Sequence, residues 1–316
     1  MPDTPRELHH GNVRGIAAML ASMAAFTVND VCVKLAAATL PLGEIIALRN
    51  GFATAFMIAL LVASGTGAGP VRAAFGAGEL WRGAHRRVLA LRTAGEVAAT
   101  LLFLAALVRM RIADVTAIMQ FTPLAVTAGA ALVLGEPVGW RRWLAAAVGL
   151  AGVLLIVRPG STAFTPAAVL ALLAIVFVVV RDLATRRIPA DAAPTATLTL
   201  MSSVSVMASG LALAPFEVWQ WPDARTTALM AAAGMFLLAA YAFIVVGMRA
   251  GEVAVVGPFR YSVILWAIVA GIAIWDEWPD ATALLGIAVV TAAGVYTFHR
   301  ERRARSGGTP AATAAP

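Results

Sequence analysis

Apolar residues run along the chain in blocks of about twenty, separated by short islands of proline, glycine and charge. A block of that length matches the ~30 Å hydrocarbon core of a bilayer, which a helix crosses in about 20 residues. Ten spans are read this way: 14–36, 43–64, 88–108, 112–134, 140–158, 165–186, 194–215, 226–249, 253–275 and 281–298. Helix is dictated, because a lipid-exposed backbone must satisfy its own hydrogen bonds and the blocks are about twice the length of a barrel strand. Punctuation such as Leu40-Pro41-Leu42-Gly43 closes nearly every gap. Apart from 65–87 the gaps are short, which leaves no room for a soluble domain.

The pattern repeats. Arg111 to Arg158 holds an apolar run with Gln120 and Pro123, a break at Gly135-Glu136-Pro137, and a second run with Gly149 and Gly152. Near the C-terminus Glu252 opens a run with Pro258, Arg260 and Tyr261, Asp276-Glu277 breaks it, and a run with Gly286 and Gly294 ends at His299-Arg300. At the other end of each unit, Asp30 and Lys34 match Asp182 and Arg186, an acid followed by a base four residues on. Five spans enter a membrane on one side and leave on the other, so the second copy is inserted upside down, the plan on which many secondary transporters are built. The expected fold is an all-α membrane protein of ten transmembrane helices in two inverted five-helix repeats. Its expected divisions are an N-terminal tail over 1–12, repeats over 13–158 and 159–303, and a disordered tail over 304–316.

Composition agrees. Hydrophobic residues make up 60% and charged ones 13%, where a soluble protein has about half and about a quarter. The net charge of +7 does not point to nucleic acid, because the arginines sit between spans and follow the positive-inside rule. With the N-terminus inside, four arginines (Arg109, Arg111, Arg158 and Arg225) face outward and most of the others inward, so both termini are expected in the cytoplasm and the protein in the inner membrane. The first block is too long for a signal-peptide core and carries Asn29, Asp30 and Lys34. A lone Cys32 excludes an intramolecular disulfide, and the four histidines do not converge on a metal site. No phosphate loop, zinc-protease helix, nucleophile elbow or pair of aspartate-rich clusters is present, so neither an enzyme nor a cofactor is expected.

Charges inside spans cost roughly 2.5–3.5 kcal/mol each on insertion scales, so each needs a partner or a polar cavity. Asp30 with Lys34, and Arg92 with Glu96, have the spacing of mutual ion pairs along one helix face. Both pairs also fit the lining of a cavity. Arg49 either pairs with Glu44 or reaches toward the interface. Arg260 sits beside Tyr261, just past Pro258, and an arginine fork next to an aromatic ring suits a carboxylate or a planar ring. Gln120, with the kink at Pro123, is its counterpart in the fourth span. Glu96, Gln120, Arg260 and Tyr261 are therefore expected to line a central binding site. Pro123, Glu136, Gly152, Pro258, Glu277, Gly286 and Gly294 are read as architecture, the glycines as points of close helix approach. Trp140, Trp143, Trp219, Trp221, Trp275 and Trp278 fall at span ends as an interfacial belt.

The stretches NDVCVK with LPLGEIIALRN, FTPLAVTAGAALVLGEPVGWRRW, and VGPFRYSVILWA with WDEWP resemble the two EamA domains of the drug/metabolite transporter superfamily, near its S-adenosylmethionine and riboflavin carriers. The second break departs from the pattern, with Trp275-Asp276-Glu277 in place of Gly135-Glu136. The resemblance implies a cavity enclosed by the third, fourth, eighth and ninth helices with parts of the first and sixth. The expected function is inner-membrane secondary transport of small organic metabolites, foremost amino acids and related compounds, by alternating access. A planar cofactor-like solute such as riboflavin or S-adenosylmethionine is the alternative, and a membrane scaffold is the non-transport reading. The partners are then a small-molecule substrate and the lipid bilayer, with proton coupling resting on Asp30 and Glu96. Oligomeric state has no signal in the sequence.

Overall fold

In a computed structural model, residues 5–65, 86–161, 164–188 and 195–306 are described. Within them ten helices are long and apolar enough to cross a membrane. They are α1 (Pro5–Ala36), α2 (Leu42–Ala63), α3 (Arg86–Leu107), α4 (Ile112–Leu134), α5 (Trp140–Val157), α6 (Ala167–Arg186), α7 (Thr195–Leu213), α8 (Ala224–Ala250), α9 (Gly257–Trp275) and α10 (Ala281–Ser306). Each predicted span falls on one of them. Helix extends into both segments read as tails. Pro5 opens α1 at a position where a missing N–H costs nothing, and α10 runs on to Ser306. The loop with Arg72, Arg82 and His85 and the stretch 307–316 lie outside the described residues.

Packing follows the repeat. α1 lies along α8 and α6 along α3; α2 packs on α7 and α5 on α10. Exchanging each helix for its counterpart five along maps every one of these pairs onto another or onto itself. The repeats are therefore interleaved, with the core between them. Gly152 and Gly286 set the α5–α10 spacing, since a Cβ on Gly286 would lie 2.6 Å from the Gly152 carbonyl oxygen. The two dissimilar breaks adopt the same turn: Gly135 has φ 68° and Asp276 φ 53°, the left-handed region that aspartate tolerates better than most residues.

α4 and α9 are the interrupted helices. In α4 the segment Ile112–Met119 ends at Gln120-Phe121 and a second segment, Thr122–Leu134, begins with Pro123 in its first turn. Before α9 a short helical turn, Val253–Val256, leads into the 3₁₀ stretch Gly257–Tyr261 with Pro258 that opens it, and regular helix begins at Ser262. Proline lacks the N–H that would continue a regular ladder, which explains both interruptions. The face of the bundle where α1 begins and α10 ends is the terminal face; the opposite one is the far face. Toward the far face, Ile112–Met119 packs on the regular part of α9. Toward the terminal face the matching segments part, Thr122–Leu134 packing on α6 and α5, Gly257–Tyr261 on α1 and α10.

Candidate functional site

Six helices bring ionisable side chains into the bundle interior. Asp30 on α1 is buried and accepts from Asn29 Nδ2 at 2.8 Å. Arg49 on α2 is buried with its Nε unpartnered and lies in electrostatic reach of Asp30, Glu96 and Tyr241. Arg92 on α3 donates from Nη1 to Ser202 Oγ on α7 at 2.9 Å. One turn along α3, Glu96 faces Arg181 of α6 at 3.4 Å, and Arg181 Nε also donates to Asp182 at 2.8 Å. Arg260 on α9 is exposed, is in electrostatic reach of Asp182, and makes no hydrogen bond or ion pair among the described residues. These groups form a chain of alternating charge from Asp30, in the far half, to Arg260, near the terminal face.

An accessible aromatic ring lies within reach of the chain. Tyr241 of α8 is 47% exposed, yet Glu96, Arg181, Arg49 and Asp182 all lie in its electrostatic reach. A side chain that is both accessible and within reach of charges from three helices faces the polar interior, not a purely lipid-facing surface. Phe26 of α1 meets its ring edge-on at 5.3 Å. Four arginines (Arg49, Arg92, Arg181 and Arg260) stand against three carboxylates (Asp30, Glu96 and Asp182), one cation in excess. Desolvated charges need partners, so a cavity with an unpartnered guanidinium and an accessible aromatic face suits a ligand with a ring and an accepting or anionic group.

Several sequence expectations are corrected here. Asp30 and Lys34 do not pair with each other: Lys34 Nζ bonds Glu277 Oε1 at 2.6 Å and the Met110 carbonyl at 2.8 Å, and lies 4.7 Å over the Trp275 ring. Arg92 and Glu96 do not pair either, because each meets a nearer partner on a neighbouring helix. Glu44 accepts from the Gln220 amide at 3.1 Å instead of holding Arg49. Tyr261 does not line the cavity. It is 4% exposed, its hydroxyl is buried without a partner, and its ring occupies the space a Cβ on Gly294 would need. Gly294 thus accommodates an aromatic of α9, as Gly149 does for Phe121 of α4. Gln120 sits at the α4 interruption, partly exposed and without a side-chain hydrogen bond among the described residues. The structure unites Glu96 and Arg260 with Arg181, Asp182 and Tyr241, three residues the sequence reading left out of the site. Arg181-Asp182 carried a legible signal as adjacent charges inside a span; Tyr241, an aromatic in an apolar block, carried none.

Glu136 and Glu277 also do more than break helices. Glu277 accepts Lys34 through Oε1 and the Ile112 amide, at 3.2 Å, through Oε2, while Glu136 takes Arg186 Nη1 at 3.1 Å. At the far face Asp280 is bound by Arg158 and, at 3.3 Å, by Arg111, and it accepts the Ala283 amide at 2.9 Å. The Ala283 amide, with Arg158 and Arg111, holds the Asp280 carboxyl down at about 2. Arg111 also binds Asp114 at 2.7 Å. These residues rim a cavity of about 350 Å³ bordered by Arg109 and Thr165. No group of three or more metal-ligating side chains occurs among the described residues.

Residues 13–158 match the model of the EamA-like transporter family. Among curated proteins, the chain is similar to a riboflavin transporter of Rhizobium johnstonii, 30% identical over 203 residues, 64% of this chain and 66% of that protein. It is also similar to an S-adenosylmethionine uptake transporter of Rickettsia prowazekii, 23% identical over 184 residues, 56% of this chain and 60% of that protein. The matches thus span about three fifths to two thirds of these relatives' own length. A solved structure, described only as the crystal structure of a protein, superposes with a TM-score of 0.61 at 19% identity, covering 93% of this chain and 99% of the other. At that identity the likeness concerns the fold alone.

Proposed function

Because this chain belongs to the EamA-like transporter family of the drug/metabolite transporter superfamily, we propose that it carries a planar, ring-bearing solute across the membrane by alternating access. The observation that carries this reading is the interior chain of charges, with Arg260 exposed and unpartnered among the described residues at one end and the half-exposed Tyr241 ring within reach of its middle. A solute with a flat heterocycle stacks on an exposed aromatic face and offers acceptors to a guanidinium. The relatives named for riboflavin and S-adenosylmethionine support this substrate class over the amino acids that the sequence placed first. Glu96 and Arg181 hold the middle of the path, and Arg49 and Arg92 supply field.

Asp30, which pairs with no cation within salt-bridge distance among the described residues, is the carboxylate placed to carry a coupling proton, since Glu96 is engaged by Arg181. The expected location is the plasma membrane, with both termini cytoplasmic and the terminal face inward. The deciding experiment is uptake into proteoliposomes of labelled riboflavin, S-adenosylmethionine and mixed amino acids, with and without a proton gradient. Uptake of a ring-bearing solute that Arg260→Ala weakens by about tenfold or more is expected. Uptake of amino acids alone would overturn the substrate class, and rates indifferent to the gradient would remove the coupling role from Asp30.

A further inference from the structure

The two faces of the bundle carry one node in two states. A shift of 141 positions takes Met110, Arg111, Ile112, Gly135 and Glu136 onto Gly251, Glu252, Val253, Asp276 and Glu277, and a shift of 152 takes Lys34 onto Arg186. The backbone obeys the same mapping. The Arg111 carbonyl accepts the amides of Asp114 and Val115 at 3.1 and 3.2 Å, and the Glu252 carbonyl accepts those of Val255 and Val256 at 2.8 and 2.9 Å. Ile112 and Val253 are therefore equivalent first residues of equivalent helical turns, each presenting an amide that its own helix leaves without an acceptor.

At the far face the node is complete. Glu277 binds Lys34 and also the Ile112 amide, and Lys34 reaches the Met110 carbonyl, so α1 and α9 are docked on the α3–α4 turn. At the terminal face Glu136 binds Arg186, and the remaining two contacts are missing among the described residues. Exposure records the difference: the Lys34 and Glu277 side chains are 10% and 20% exposed, those of Arg186 and Glu136 48% and 47%. Among the described residues the far node is docked and shielded, and the terminal node is undocked and solvated.

We propose that these nodes are the two gates of the carrier, and that Glu136 and Arg186 close the terminal one by taking the Val253 amide and the Gly251 carbonyl. An inverted-repeat protein reaches its second state when its halves exchange conformations. Both ion pairs persist through the exchange. What alternates is which helix turn they dock, Met110–Ile112 at one face or Gly251–Val253 at the other. Each docking places a carboxylate on the positive end of a helical turn, and burial strengthens it. α4 and α9 run through both nodes, which couples the opening of one to the closing of the other.

This inference rests on the transport reading, but its test needs no solute. In a Cys32→Ala background, distances are measured between spin labels by pulsed electron resonance, one pair at Val133 and Arg249 on the terminal face and one at Arg109 and Trp278 on the far face. Ile112→Pro removes the docked amide without touching a charge, at a helix position that tolerates proline. It is expected to lengthen the far pair and shorten the terminal pair, changing the ratio of states by about tenfold, the least expected for a lost charge-assisted hydrogen bond. Glu136→Gln added to Ile112→Pro is expected to reverse that shift, which a residue serving only as local scaffold would not do. Glu277→Gln provides the same opening by an independent route if Ile112→Pro fails to fold. Far-pair lengthening without terminal shortening, or a shift that Glu136→Gln leaves in place, overturns the proposal and leaves the transport reading standing. Shifts as expected with no uptake of any solute would sink the transport reading alone.

Discussion

The far and terminal segments of α4 make an instructive pair. In Ile112–Met119 every residue from Ile112 to Ile118 is buried, whereas in Thr122–Leu134 only Leu124, Val126 and Ala130 are. Both come from apolar sequence. The first is covered because α9 and α6 close on it and Glu277 docks its leading amide; the second packs mainly on α6 and α5. Burial in this molecule reports the conformation of the bundle more than the hydrophobicity of the segment. The same holds for ion pairs: equivalent residues give a shielded bridge at one face and a solvated one at the other.

The largest effect should separate the two bridges. Glu277→Ala leaves Lys34 shielded and unpaired and is expected to cost about 3–5 kcal/mol, whereas Glu136→Ala, at a half-exposed pair, costs about 1 kcal/mol or less. Melting midpoints in detergent measure both, and equal losses would break the contrast between the faces. Next, Arg260→Ala should weaken binding of a ring-bearing solute by about tenfold or more, the worth of a charge-assisted hydrogen bond, while Arg111→Ala at the closed face leaves it unchanged. Titration calorimetry would show the reverse order if the solute entered at the far cavity.

A smaller effect concerns acid. The folded state holds the Asp280 carboxyl at about 2, below its ordinary 3.8. Its contribution to the far-face cap is therefore present above about pH 4 and lost as pH falls through about 2. With the side chain 44% exposed, solvent screening limits the contribution to about 1 kcal/mol or less. The difference in melting midpoint between the protein and Asp280→Asn should shrink over that window, and a constant difference would assign the cap's stability to other groups. The smallest change is expected of Tyr261→Phe, which removes a hydroxyl buried without a partner. Stability should hold or rise by about 1 kcal/mol and uptake should not change. A loss of uptake would return Tyr261 to the site.

Ten helices, their inverted pairing, and the interruptions near Pro123 and Pro258 were legible because each depends on local rules. Bilayer thickness sets span length, and proline interrupts helices whatever surrounds it. The candidate site was legible only in part. Glu96 and Arg260 stood out as charges in apolar runs, and Arg181 and Asp182 carried the same signal. Tyr241 gave none, since nothing local separates an aromatic that faces lipid from one that faces a cavity.

The sequence by itself determined that this is a multi-pass membrane protein with two copies of one unit, since both facts follow from the order of apolar and polar residues. Only the tertiary structure decided partners. Lys34 stands one turn from Asp30 but binds Glu277, 243 positions away, and Glu96 stands one turn from Arg92 but binds Arg181. Spacing along a helix places two charges within reach of each other, but where water is scarce the pairing goes to whichever partner packing brings nearer, and that is fixed by how the repeats interleave.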